Sequence, residues 1–241
     1  SPRGDGAAGR LDREAVVDWY RRNRARSAQL FGMLAAHRYA TRPIALRNPV
    51  VFYEGHIPHG VYIVCRGRVK AYKTDQRGHQ LITRIANPGG LLGYRALLAR
   101  EPYSGSTEAF EESTISYVGE EVLLKYISRS PALANRLLGQ LARDVRNAED
   151  RARDLAMKSS RERLAQILLM LKTAYGRQEK QGTVIEVSFT RLDLAELAGL
   201  AQETAIRLLG ELEKKKVIAL KGRTIAVLDE KALQRHSAQP V

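Results

Sequence analysis

The chain has 241 residues, which is enough for one large domain or two smaller domains with hydrophobic cores. Its 40 Lys and Arg residues against 26 Asp and Glu residues give a formal net charge of +14. This charge favours a polyanionic partner such as nucleic acid, although a generally basic surface is the alternative. A single cysteine excludes an internal disulfide framework, and no apolar run is long enough for a membrane span. We therefore expect a cytoplasmic protein without a membrane partner.

Residues 1–42 are predicted to form an N-terminal arm followed by a helix. The helix is expected over residues 12–37, with Asp12 in a capping position and Trp19 on its apolar side. The arginines that interrupt this apolar side favour a solvated helix face over a DNA contact.

The next segment, residues 43–119, has the period of β-structure. Short β-branched and aromatic runs alternate with Gly, Pro and Asn, which is typical of a small β-sandwich or jelly roll. The predicted strands are Val50–Tyr53, Val61–Cys65, Arg68–Lys73, Gln80–Ile85 and Thr114–Val118.

A long helix that starts at Pro131 dominates the linking segment, residues 120–158. Small and apolar residues recur at intervals of three and four, close to a heptad repeat with charged flanks. Such a narrow stripe favours a seam against an identical helix, and packing on the chain's own domain is the alternative. The seam is predicted to contain Leu137, Leu141, Val145, Ala148, Ala152 and Leu155.

The C-terminal segment, residues 159–241, carries the most specific pattern. Thr190 and Asp193 have the spacing of a helix N-cap box, and Gly199 can end the short helix that follows. A second helix is expected over 201–215, and two strands joined by "KGRT" follow it. The order helix, turn, helix, hairpin predicts a winged helix-turn-helix. The whole chain is thus predicted to be α+β: a double-stranded β-helix or jelly-roll domain, a long dimerisation helix and a C-terminal winged helix-turn-helix.

Three polar residues near the start of the second helix are predicted to read DNA bases: Gln202, Glu203 and Arg207. Glu203 and Arg207 are four residues apart and therefore project from one helix face. In the major groove, glutamate can accept a hydrogen bond from cytosine N4, and arginine can bridge guanine O6 and N7. A plain salt bridge on the helix surface is the alternative.

These landmarks make the chain resemble the Crp/Fnr transcription regulators. The resemblance rests on "FYEGHIPHGVYIVCRGRVKAY", "LLGYRALL", the long helix, "SSRERLAQILL" and the block "TRLDLAELAGLAQETAIRLLGELEKKKVI" with "KGRTI". It covers about residues 43–230. It implies a bacterial homodimer, joined along the long helix, that binds palindromic sites in double-stranded DNA.

The resemblance also implies roles for individual residues. Glu203 and Arg207 match the residues that read a TGA-type half-site. Gln202 stands where the cAMP-responsive branch has an arginine, which predicts an Fnr-like half-site or a variant at that base pair. The loop Tyr175–Gly182 matches a surface that contacts RNA polymerase. Contacts to the DNA backbone are predicted for Thr190, Arg191, Ala201, Lys221 and Arg223.

The stretch Gly90–Ala109 matches the phosphate cassette of cAMP-binding relatives but departs from it. Tyr94 replaces the glutamate that bonds the ribose, and no arginine stands at the phosphate position. The loss of a charge-assisted pair to the phosphate disfavours cAMP. We expect either a filled pocket in a ligand-independent regulator or a site for another nucleotide or metabolite. The candidate pocket residues are Gly93, Tyr94, Arg95, Tyr103, Ser104 and Ser106.

Other functions have less support in the sequence. A non-specific architectural DNA binder would need no Glu203, and a cupin-type metalloenzyme would need a His and Glu cluster. His56 and His59 lie in a predicted turn without carboxylate partners. We therefore predict a DNA-binding regulator with no catalytic residues, no metal site and no cofactor, and its effector is left open.

Overall fold

The computed structural model describes residues 44–45, 50–187 and 189–237 of the chain. The predicted N-terminal arm and the helix over residues 12–37 lie outside the described residues. The helices are α1 (Tyr94–Ala99), α2 (Glu120–Arg129), α3 (Pro131–Met157), α4 (Ser160–Tyr175), α5 (Arg191–Ala198), α6 (Gln202–Lys214) and α7 (Glu230–Ser237). The strands are β1 (Ile44–Ala45), β2 (Val50–Phe52), β3 (Gly60–Arg66), β4 (Val69–Thr74), β5 (Gln80–Ala86), β6 (Leu91–Leu92), β7 (Ser106–Ala109), β8 (Thr114–Gly119), β9 (Gly176–Glu179), β10 (Gly182–Ile185), β11 (Ile218–Lys221) and β12 (Thr224–Val227).

The first eight strands form two antiparallel sheets, ordered β1-β8-β3-β6 and β2-β7-β4-β5. Val64 and Leu92 from the first sheet share one buried cluster with Val69 and Ala86 from the second. The two sheets therefore pack face to face, which confirms the predicted β-domain. Strands β6 and β7 and helix α1 were absent from the prediction, because short elements within a Gly-rich stretch have no periodicity to reveal them.

Helix α3 begins as predicted, with Pro131 in its first turn and the Ser130 hydroxyl accepting a hydrogen bond from the Leu133 amide at 3.2 Å. Its first turns bury Leu133 and Leu137 against Tyr94 of α1 and Leu123 of α2. The second half of α3 extends beyond this cluster and contains most of the predicted seam.

The C-terminal part combines four helices with a third sheet, ordered β11-β12-β10-β9. The prediction of a polar loop over Tyr175–Gly182 was wrong, because β9 and β10 form an antiparallel hairpin there. β10 pairs with β12, so this hairpin joins the β11–β12 hairpin, which we call the wing. The pairing stabilises strands that the polar composition of this segment did not predict. Helix α7 was not predicted; it packs on α4, and Lys172 forms an ion pair with Glu230.

The C-terminal domain packs directly on the β-domain. Tyr72 and Ile82 of the β-domain share one buried cluster with α4, α5 and α6. The rings of Phe110 and Phe189 meet edge to face with centroids 5.4 Å apart. Helix α5 thus lies between the β4–β5 hairpin and the rest of the C-terminal domain.

A charged cluster is also buried between the domains. Lys70 Nζ on β4 lies 3.5 Å from Glu196 Oε2 and 3.8 Å from Asp193 Oδ1, both on α5, and 3.8 Å from Glu108 Oε2 on β7. Only 11% of the Lys70 side chain and 7% of the Glu196 side chain are exposed. Burial raises the pKa of Glu196, and the charge of Lys70 opposes that shift.

None of the helices among the described residues combines the length and the hydrophobicity that a transmembrane segment needs. Within the same residues, no group of three or more His, Cys, Asp or Glu side chains is placed to hold a metal ion.

Candidate DNA-reading surface and ligand pocket

The turn between α5 and α6 forms from signals that are local in the sequence. The Thr190 hydroxyl accepts a hydrogen bond from the Asp193 amide at 3.0 Å, and Asp193 Oδ2 accepts one from the Thr190 amide at 2.8 Å, which confirms the predicted capping box. Gly199 ends α5 in the left-handed region at φ +63°. A Cβ there would also lie 2.8 Å from Leu155 Cδ2, so glycine serves both conformation and packing.

Gln202, Glu203 and Arg207, which we call the reading face, are all exposed on the first two turns of α6. Ala205, Leu208, Leu209 and Leu212 bury the opposite side. Arg207 Nη1 donates to Glu211 Oε1 at 2.6 Å rather than pairing with Glu203. Glu211 Oε2 in turn accepts from Arg161 at 2.5 Å. Among the described residues Glu203 forms no ion pair, so its carboxylate is available to a partner.

The structure brings three of the predicted backbone-contacting residues, Arg191, Lys221 and Arg223, together at the β11–β12 turn. Arg191 Nη2 donates to the Gly222 carbonyl at 3.2 Å, which joins the start of α5 to the tip of the wing. Lys221 and Arg223 flank that glycine and are exposed. Ala201 caps α6 without a side-chain hydrogen bond, so within the described part of the chain no side chain caps the first amides of α6. The Thr190 hydroxyl donates to Asp193 at 2.6 Å and is therefore part of the cap.

The predicted seam on α3 needs one correction. Leu137 is only 3% exposed and is buried within its own chain, so a partner helix cannot reach it. The neighbouring Leu138 is 62% exposed instead. The corrected set, which we call the α3 seam, has intervals of 3, 4, 3, 4 and 3 and consists of Leu138, Leu141, Val145, Ala148, Ala152 and Leu155. That is a regular heptad alternation, and Val145 is 57% exposed within it.

Five of the six predicted pocket residues line one cavity of about 60 Å³ in the β-domain: Gly93, Tyr94, Arg95, Tyr103 and Ser104. A cavity of this size holds a few water molecules. Tyr103 fills part of it and stacks on Phe52 with centroids 3.8 Å apart. Ser106 does not line this cavity, and its buried hydroxyl accepts a hydrogen bond from the Glu54 amide at 3.0 Å.

Tyr94, which is predicted to replace the ribose-binding glutamate, reaches the long helix. Its ring is 1% exposed, and its hydroxyl donates to Asp144 Oδ2 on α3 at 2.6 Å. Burial raises the pKa of the Tyr94 hydroxyl, so it stays protonated and remains a donor. Arg84 and Arg95 lie 3.7 and 3.9 Å from the same carboxylate oxygen.

Asp144 and Arg84 are neighbours of the pocket that were not predicted from the sequence. Asp144 is 50 residues from Tyr94 in the chain and lies on a helix that was interpreted as a dimer seam. The one signal in the sequence is that Asp144 is an acidic residue next to Val145 of the predicted seam.

Known protein families match both the β-domain and the C-terminal helix-turn-helix domain. A family model described as a cyclic nucleotide-binding domain matches residues 46–130, and one described as a Crp-like helix-turn-helix domain matches residues 162–236. The chain belongs to the Crp/Fnr family of DNA-binding transcription regulators. Members of this family are regulators rather than enzymes, so the family gives no support to the metalloenzyme alternative.

Curated relatives from both branches of the Crp/Fnr family are similar to this chain. The cyclic AMP receptor protein of Thermus thermophilus is 29% identical over 196 residues, which are 81% of this chain and 88% of that protein. The fumarate and nitrate reduction regulatory protein of Vibrio cholerae is 25% identical over 183 residues, which are 76% and 73% of the two chains.

Solved structures give the same picture. A Crp/Fnr-family transcriptional regulator from Thermus thermophilus is 26% identical with a TM-score of 0.68 and covers 81% of this chain and 98% of its own. FixK2 from Bradyrhizobium japonicum has the same fold, with 24% identity and a TM-score of 0.72 over 84% of this chain and 100% of its own.

Proposed function

We propose that this Crp/Fnr regulator binds a palindromic promoter site of TGA type as a homodimer, without a requirement for cAMP. The observation that carries the proposal is the exposed reading face on α6. Glu203 has no ion-pair partner within the described residues, and Arg207 is held only by a surface pair to Glu211, which is worth a few tenths of a kcal/mol, about 0.3–0.5. Both side chains can therefore turn to a cytosine and a guanine at little cost.

Contacts to the DNA backbone would position this face. Arg191, Lys221 and Arg223 lie on one side of the domain through the Arg191–Gly222 hydrogen bond. The open amides at the start of α6 add a further donor set for a phosphate. These groups would supply affinity in a salt-dependent manner, and the reading face would supply base preference.

The α3 seam supports the dimer. Its exposed leucine and valine side chains would be buried by a second copy of the same helix. A two-fold dimer presents two reading faces, so two half-sites would lie about 34 Å apart, one helical turn of DNA.

The filled pocket argues against cAMP as the effector. Tyr94 and Tyr103 line a cavity of only about 60 Å³, and the Asp144 carboxylate lies beside the two nearest arginines and would repel a cyclic phosphate. Control by another small ligand is the second candidate, which the half-exposed Arg95 at the cavity favours. By resemblance to the family, the protein would act in the cytoplasm and contact RNA polymerase through the β9–β10 hairpin.

Selection of DNA from a random pool, with and without cAMP, tests the proposal. We expect an inverted repeat of TGA-type half-sites whose recovery does not change with cAMP. The Arg207→Ala variant should lose discrimination at one base pair, which costs about 1–3 kcal/mol. Lys214→Ala removes an exposed cation from the far end of α6 and is the matched control. Recovery of DNA without a repeat, or equal base preference in Arg207→Ala, would refute the proposal.

A further inference from the structure

The C-terminal end of α5 is held by arginines from two other helices. Arg151 on α3 donates through Nη2 to the Leu197 carbonyl at 2.7 Å. Arg163 on α4 donates through Nε to the Ala198 carbonyl at 3.0 Å and through Nη2 to the Gly199 carbonyl at 3.3 Å. Three consecutive carbonyls that a helix end leaves without intrahelical partners are thus bound by side chains from outside the helix-turn-helix.

Arg163 also holds the end of α3. Its Nη1 donates to the Lys158 carbonyl at 2.8 Å and to the Leu155 carbonyl at 3.4 Å. One guanidinium therefore lies between the C-terminal ends of α3 and α5. Both ends carry negative partial charge from their helix dipoles, so a cation between them is favoured over a neutral side chain.

Arg151 is placed for this contact rather than for an ion pair. Among the described residues its Nε makes no hydrogen bond. Burial lowers its pKa, and the nearby charge of Asp154 opposes that shift. Arg151 makes no ion pair in the described part of the chain, although its guanidinium is partly desolvated. The dipole of α5 and the Leu197 carbonyl compensate the cost of this desolvation.

The held carbonyls lie immediately before the reading helix. Only Gly199, Leu200 and Ala201 separate α5 from α6, and the Leu200 amide is bound back to the Ala195 carbonyl at 2.9 Å. Gly199 also lies against Leu155 of α3. A shift of the α5 end relative to α3 would therefore move the start of α6, where the reading face lies.

From this geometry we infer that Arg151 and Arg163 are positioning residues that set the distance of the reading face from the α3 seam. They contact no DNA base, and each acts through the end of α5. The inference rests on the proposed dimer, in which the seam marks the two-fold axis. The distance from seam to reading face then fixes how far apart the two half-sites must be, so the arginines determine which spacer length between half-sites is preferred.

The test measures binding of the full-length chain to palindromes whose spacer is the preferred length or is one base pair shorter or longer. Arg151→Met keeps the length and packing of the side chain but removes its donors. We expect the ratio of affinities for preferred and altered spacers to fall roughly tenfold, while base preference within each half-site is unchanged. Arg151→Lys retains a charged donor and should restore part of the ratio. Arg163→Met should act in the same direction.

Arg153→Met is the matched control, because Arg153 is exposed two residues along α3 and, among the residues that the structure describes, forms ion pairs only with Asp150 and Asp154. Thermal unfolding of each variant distinguishes a variant that does not fold from one that folds with a displaced reading face. If Arg163→Met does not fold, the result for Arg151→Met alone tests the inference. A folded Arg151→Met with the parent's spacer ratio overturns the inference, as does a parallel loss of base preference. If the parent itself shows no spacer preference, the proposed dimer function fails instead.

Discussion

Replacement of Lys70 by Met should loosen the packing of α5 on the β-domain. Lys70 Nζ lies 3.5 Å from Glu196 Oε2, a separation that gives an attraction of about 4–5 kcal/mol at an effective dielectric constant of 20. Desolvation offsets much of this attraction in the folded chain. Loss of the lysine, however, leaves Glu196 buried beside Asp193 and Glu108 with no cation. We therefore expect a cost of about 3 kcal/mol, at the low end for broken buried pairs because the three N–O distances are long.

Thermal unfolding at pH 7, followed by circular dichroism, measures this cost. A loss of about 3 kcal/mol corresponds to a decrease of roughly 6–12 °C in the midpoint for a chain of this size. Lys73→Met removes an exposed lysine from the same strand and should change the midpoint little. In a double-mutant cycle, Lys70→Met and Glu196→Gln together should cost less than the sum of the two by at least about 1 kcal/mol. Additivity within about 0.5 kcal/mol would refute the pairing.

The same variant has a pH signature. The folded-state pKa of Glu196 is raised, so the folded protein holds this proton more tightly than the unfolded chain. The stability from this group is present below its ordinary pKa of 4.5 and is lost as pH rises through the raised value. Because Lys70 opposes the shift, Lys70→Met should raise the pKa of Glu196 further and extend this loss to higher pH. Unfolding midpoints from pH 5 to 8 that change in parallel for parent and variant would contradict this sign.

Three further substitutions test the other contacts. Gly199→Ala should destabilise the protein by about 1–2 kcal/mol because of the left-handed backbone, and an unchanged denaturant midpoint would contradict this. Val145→Glu places a charge in the α3 seam and should convert a dimer to a monomer in sedimentation velocity, whereas Arg153→Glu should not; a Val145→Glu dimer would exclude the seam. Tyr94→Phe removes the donor to Asp144 and should cost about 1–3 kcal/mol in urea unfolding, without creating affinity for cAMP by calorimetry.

Local sequence signals predicted the helix-turn-helix well. The Thr190–Asp193 capping box and the Gly199 cap involve only residues that are close in the chain. Their geometry can therefore be predicted from the local sequence. The same holds for the strands of the β-domain, whose turns are marked by glycine and proline. The hairpin over β9 and β10 was missed because its strands are polar and are held by pairing with the distant β12.

The α3 seam and the pocket depended on contacts between distant parts of the chain. A stripe of apolar residues on one helix cannot reveal whether Leu137 or Leu138 faces the outside, because packing on Leu123 and Tyr94 decides this. Likewise, the sequence indicated that the cAMP cassette is altered, but not that Asp144 would accept the Tyr94 hydroxyl. The sequence by itself determined the order of the β-domain and the helix-turn-helix and the cap and turn between α5 and α6, since these are set by neighbouring residues. Only the tertiary structure decided which helix faces are buried and which charges meet, because such pairings depend on how elements far apart in the chain pack together.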